Sequence, residues 1–311
     1  MTAAPAPPAG AATPAPPAGA KAPAIHDLGY KRYDGPRTPH GQRYLTVMRI
    51  TLRLSLRWWL WLTLVFAVAQ VAIFGVVMYF LGRASQIPGA GASVDAIRPD
   101  FLVLKLLTEW YGVIPLGFVV GLFAGGSAVA DDARAGAFQF YFARPVSKRH
   151  YLLGKILAVC LLVAFVSLAP ALLLCLVRAG LSQQPGEWAQ AGLLALRGLT
   201  LGLIVALVLG IPVVALSSLS TSRGVVQGGW AAVFMLSWIV GGIVASVTAS
   251  PWPALISIPA NLQAVGAVIF GQTPAHAVPW WASALILAGL LAGSAALLRW
   301  RLRHVEAITV S

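Results

Sequence analysis

Six stretches of about 20 apolar residues recur along this chain, and a helix of that length crosses the hydrocarbon core of a bilayer. They run from Trp58 to Leu81, from about Tyr111 to Ala130, from Tyr151 to Leu176, from Leu193 to Leu219, from Gly229 to Val247 and from Trp280 to Arg299. In lipid every backbone N–H and C=O must find its partner inside the protein. Long continuous apolar runs therefore read as helices, whereas a barrel would show short alternating segments. The side-chain balance agrees. Of 311 residues, 59% are hydrophobic and 10% charged, against about 25% charged in a soluble domain. Nine acids and 22 bases cannot cover a globule of this size, so the excess apolar surface must face lipid. The expected fold class is an all-α polytopic membrane protein with six transmembrane helices.

The formal net charge of +13 raises the question of nucleic acid. The placement of the bases answers it. An even number of spans puts both ends on one side, and that side carries seventeen bases. Eight precede the first span (Lys21, Lys31, Arg32, Arg37, Arg43, Arg49, Arg53, Arg57). Five follow the second (Arg134, Arg144, Lys148, Arg149, Lys155), one follows the fourth (Arg223), and three end the chain (Arg299, Arg301, Arg303). The other side has five: Arg83, Arg98, Lys105, Arg178 and Arg197. This asymmetry predicts both termini in the cytoplasm of a cell inner or plasma membrane. It explains the charge without nucleic acid.

The chain divides by composition. Residues 1–24 hold seven prolines and eleven alanines and predict a disordered tail. Residues 25–57 form a cytoplasmic segment that ends in a helix. There Arg49, Arg53 and Arg57 line one face, and Leu45, Met48, Leu52 and Leu56 lie roughly opposite, a pattern that predicts an interfacial amphipathic helix on the lipid bilayer. Residues 58–300 are the membrane domain, and 301–311 a cytoplasmic tail. Residues 82–110 read as a moderately polar outer segment. Residues 248–279 carry no charge but five prolines, which predicts short helices dipping into the bilayer or packing on the spans.

Catalytic signals are sparse. There is no GxxxxGK[ST] phosphate loop and no HExxH pair. Cys160 and Cys175 lie on one predicted helix, about 22 Å apart along its axis, and read as inert core thiols. The spans hold almost no charge, which argues against a carrier driven by protons or sodium. Glycine ladders recur at Gly117/Gly121/Gly125, Gly198/Gly202 and Gly289/Gly293, a spacing for close helix packing.

The most informative segment is 126–156. A span ends at Asp131-Asp132. Arg134, Gly136 and the aromatics Phe138, Phe140, Tyr141 and Phe142 follow. Arg144-Pro145-Val146-Ser147-Lys148-Arg149 then turns the chain into the next span, which opens with Leu152-Leu153-Gly154-Lys155. Aromatics beside charges outside the spans mark a docking surface or an interfacial anchor. This segment resembles the cytoplasmic loop of ABC-2 type permeases, the membrane subunits of ABC exporters. Asp131 or Asp132 stands at that pattern's acid, where Glu is usual. Gly136-Ala137 replaces its Gly-Thr, and the Pro-Val-Ser and Leu-Leu-Gly-Lys stretches match closely. The resemblance implies a non-catalytic permease without cofactor, paired with a second permease chain and with a separate ABC ATPase subunit that binds the ATP. It also implies that Asp131, Asp132, Arg134, Gly136, Phe138, Phe140, Tyr141, Phe142, Arg144, Pro145, Lys148 and Arg149 form the ATPase-coupling loop. In that reading the aromatics anchor the partner, the acids cap the loop helix or meet the partner directly, and the bases meet the partner or the headgroups. The alternative is a polytopic membrane scaffold or enzyme without an ATPase, which predicts polar residues clustered at one bilayer depth.

Overall fold

The computed structural model describes residues 40–56, 58–84, 99–109, 111–142, 146–181 and 185–308. The tail expected over 1–24 and Arg57 lie outside the described residues. Every regular element among the described residues is helical. Among the described residues, six helices are long and apolar enough to cross a membrane: α2 (Trp58–Ala84), the segment 114–134, α8 (Lys148–Leu181), α9 (Pro185–Ser217), α10 (Arg223–Thr248) and α12 (Trp280–Ile308). The second of these is composite. It runs as α4 (Ile114–Val120), a π-helical turn at Gly121–Gly125, α5 (Gly126–Ala128) and α6 (Ala130–Arg134). The chain continues into α7 (Ala137–Phe142), which leads to α8.

The centre of the bundle is α8 against α9, with 114–134 packed on both. Glycines set these approaches. A Cβ at Gly117 would lie 3.0 Å from the Leu209 side chain, and one at Gly121 would lie 3.1 Å from the Leu209 carbonyl oxygen. At Gly125 it would collide with Val213, and at Gly202 with Leu168. Two of the three ladders are therefore spent inside the chain, while Gly289 and Gly293 meet nothing within 4 Å. By contrast α2 and α10 leave most of their length exposed.

Helix α1 (Arg43–Ser55) forms over the interval expected for an interfacial helix, with Arg49 and Arg53 exposed. Its buried face differs from the expected one. Val47, Thr51 and Ser55 turn inward, Leu45, Met48 and Leu52 are half-buried, and Leu56 is exposed. The reason is the surface it meets. α1 lies on α8 at Gly154, where an added Cβ would come 2.7 Å from the Tyr44 carbonyl oxygen and 2.7 Å from Val47 Cβ. Only small and β-branched residues fit so close a crossing. Overpacking such a contact costs about 1–3 kcal/mol. We expect Gly154→Leu to lift α1 away, so that Val47→Cys, unreactive in the parent because Val47 is buried, becomes open to a polar thiol reagent. Equal labelling with and without Gly154→Leu would show that α1 does not depend on this crossing.

The segment 82–110, read as a polar outer stretch, contains α3 (Pro99–Thr108), whose Val103, Leu106 and Leu107 are fully buried against α8, α9 and α11 (Ile258–Ile269). Its charges hid it, because each finds a partner in the fold. Asp100 meets Arg178 at 3.5 Å and Arg197 at 3.3 Å. Lys105 pairs with Glu109, which also accepts a 2.7 Å bond from Gln263. Gln70 of α2 donates to the Gly112 carbonyl at 2.6 Å and so holds the turn after α3. The uncharged segment 248–279 folds as expected into short helices, a 3₁₀ turn at Trp252–Ile256 and α11, whose Leu262 and Ala267 are buried. Ser257 caps α11 by accepting from the Ala260 amide at 3.2 Å.

Candidate functional site

The loop between the second and third spans is built from the first turns of α8 upward. Ser147 stands at the start of α8, and its Oγ accepts from the His150 amide at 3.3 Å, capping the helix. Its hydroxyl also lies 2.7 Å from His150 Nδ1. One turn on, Tyr151 and Lys155 project from one face at i and i+4. Both are buried, at 1% and 2% exposure. Both reach the same atom: Asp132 Oδ2 accepts from the Tyr151 hydroxyl at 2.6 Å and pairs with Lys155 Nζ at 2.7 Å. The ammonium also lies 5.5 Å from the Tyr151 ring centroid. A buried charge is tolerated only when paired and hydrogen-bonded, and this triad meets that condition.

The two acids differ. Asp131 faces Arg134 at 3.7 Å and Arg223 at 4.0 Å, on the more open side. Neither carboxylate caps α6, one of the two roles the sequence left open for them. The Val129 and Ala130 amides both bond to Ser217 Oγ of α9, at 3.0 Å each. A small polar pocket of about 80 Å³ lies between Thr51, Ser55, Ser127, Asp131, Asp132, Lys155 and Arg223.

Between α6 and α7 the chain reverses at Gly136, whose φ of 63° is a left-handed turn that suits glycine. The reversal lays α7 on Tyr151. Phe138 and Tyr141 meet its ring edge-on, with centroids 5.7 and 5.1 Å apart. Burial, and then the Asp132 carboxylate, pushes the Tyr141 hydroxyl above its ordinary range, so it stays protonated at neutral pH. Phe140 points the other way and is 76% exposed. The four aromatics do not form one outward patch, because Phe138 and Tyr141 face inward. Arg134 and Arg149 are exposed and Lys148 is half-buried. Arg144, Pro145 and the Phe142 side chain lie outside the described residues. Sequence reasoning placed Lys155 in the loop motif but not in the site, and passed over Tyr151, Ser217 and Arg223. An i, i+4 Tyr/Lys pair opening an apolar helix was the available signal for the first two partners of Asp132.

The buried pair joins the acid after span two to the lysine of Leu-Leu-Gly-Lys, the two ends of the loop motif. A family model described as ABC-2 family transporter protein matches residues 47–297. The chain belongs to this family. The match begins in α1 and ends within α12, so it takes in five whole spans and most of the sixth. No curated protein matches the chain. Membership makes this ABC-2 protein a multi-pass membrane component of an ABC transporter. Within it, two motif residues now have physical roles. Gly154 admits α1, and Lys155 fastens the loop through Asp132.

Proposed function

We propose that this ABC-2 permease is half of an exporter's membrane path and couples to a separate ABC ATPase through residues 131–149. The observation that carries the reading is the Asp132–Lys155–Tyr151 lock. It fixes α6 and α7 to the start of span three while leaving Phe140 and Arg134 outward. A connector has no need of such a lock; an element that transmits force does. The exposed α2 and α10 are compatible with a second permease chain, and ATP is bound by the partner. The base asymmetry supports a cytoplasmic position for this loop and for both termini, in an inner or plasma membrane.

Co-expression with its cognate ABC ATPase tests the reading. The purified chain should retain the ATPase, and the complex should hydrolyse ATP. A chain that never retains the ATPase would favour the scaffold reading. Topology is checked separately on sealed cells. Thr273→Cys should react with an impermeant thiol reagent from outside and Ala135→Cys should not, both positions being exposed. Labelling of Ala135→Cys alone would invert the orientation.

A further inference from the structure

Span two loses its regular helical bonding just before the loop. A π-helical turn at Gly121–Gly125 is followed by three α-helical residues, and Val129, its φ opened to −112°, separates them from α6. In an unbroken helix the Ala130 amide would bond the Gly126 carbonyl. Here the Ser217 hydroxyl stands between them. It accepts from the Ala130 amide at 3.0 Å and from the Val129 amide at 3.0 Å, and donates to the Gly126 carbonyl at 3.1 Å. Ser217 is fully buried and is the last residue of α9, the fourth span. One side chain of span four therefore completes the backbone of span two at its bend. Bends of this kind form where a side chain enters the i→i−4 ladder.

We propose that Ser217 is the pivot through which movement of α6 and α7 reaches span four, so that it positions the two spans for coupling. The proposal rests on the permease reading. The residue is suited to it. A hydroxyl rotates about its Cβ–O bond and exchanges acceptors at little expense, whereas a backbone bond breaks only by unwinding the helix. On either side, Gly125 sits against Val213 of α9 and Gly126 against Gln227 of α10, at contacts that leave no room for a Cβ. The bend is thus clamped by small residues on both flanks and held at its centre by one movable group. Asp132, two residues beyond Ala130, is locked to α8. A displacement of the loop then has two outlets: α8 through the buried pair, and α9 through Ser217.

The test uses the complex with its ATPase and needs no substrate. Spin labels at Gln139→Cys and Leu219→Cys, both exposed, report the distance between α7 and the end of span four; the native Cys160 and Cys175 are buried. A non-hydrolysable ATP analogue should shift that distance in the parent. Ser217→Ala should retain the ATPase but lose the shift, and Ser217→Thr, which keeps the hydroxyl, should restore it. Hydrogen exchange at the Val129 and Ala130 amides should rise at least about tenfold in Ser217→Ala, because both lose their acceptor. Ser217→Cys, slightly larger and weaker as an acceptor, should give an intermediate result and substitutes if Ser217→Ala does not insert. A full shift in Ser217→Ala, or no shift in a parent that does retain its ATPase, would overturn the pivot. If the parent retains no ATPase, the permease reading fails and the pivot falls with it. Unchanged amide exchange would refute the bonding itself.

Discussion

Asp132→Ala should destabilise the protein more than any other single substitution in the loop, by about 3–5 kcal/mol, the usual result of leaving one partner of a buried pair alone. The Lys155 side chain is only 3% exposed and sits near the start of α8. Asp132→Ala therefore leaves an ammonium buried and takes the acceptor from the Tyr151 hydroxyl. Lys155→Met should cost less. Asp132 is more open, at 15%, and keeps its bond from Tyr151. The double variant Asp132→Ala/Lys155→Met should recover much of the loss, since it removes both charges and fills the site with an apolar chain of similar length. Thermal unfolding in detergent, followed as a mutant cycle, reads all three. If the single variants simply add, the pair has no coupling energy, and the loop is fastened by its aromatics alone.

Phe140→Ala should leave the chain folded and release the ATPase. Phe140 is the outward aromatic of α7, so truncating it removes little from the protein's own packing. An aromatic anchor buried at an interface is worth at least about 2 kcal/mol, or roughly a 30-fold weaker association. Phe138→Ala should behave oppositely, lowering thermal stability first, because Phe138 packs edge-on against Tyr151. The sequence alone read all four aromatics, Phe138, Phe140, Tyr141 and Phe142, as anchors. The reversal at Gly136 separates the aromatics onto two faces and moves Phe138 to the inner one. The measurement is the ATPase retained per permease after purification, beside a melting curve for each variant. If Phe140→Ala retains the ATPase fully while folding normally, docking does not run through this residue, and exposed charges such as Arg134 become the candidates.

The number of spans, the helical class and the position of the loop were legible in the residue order, because these depend on composition over windows of about 20 residues. It also located α1 and the short helices after span five, since arginine spacing and proline spacing are local signals. It missed α3, a ten-residue helix too short to register as a span, whose charges read as polar until Arg178, Arg197 and Gln263 neutralise or bond them from 78 to 154 residues away. It left the acids as helix caps or direct partner contacts, and a cap is assigned by distance in space. Ser217, 87 residues beyond Ala130, takes both amides, and that frees Asp132 for Lys155. It read α1 by its leucines, whereas the crossing at Gly154 selects Val47, Thr51 and Ser55. In each case the local pattern specified an element and its type. Which face the element buries, and which partner its polar groups find, depended on close approach between segments far apart in the chain, which no local pattern encodes.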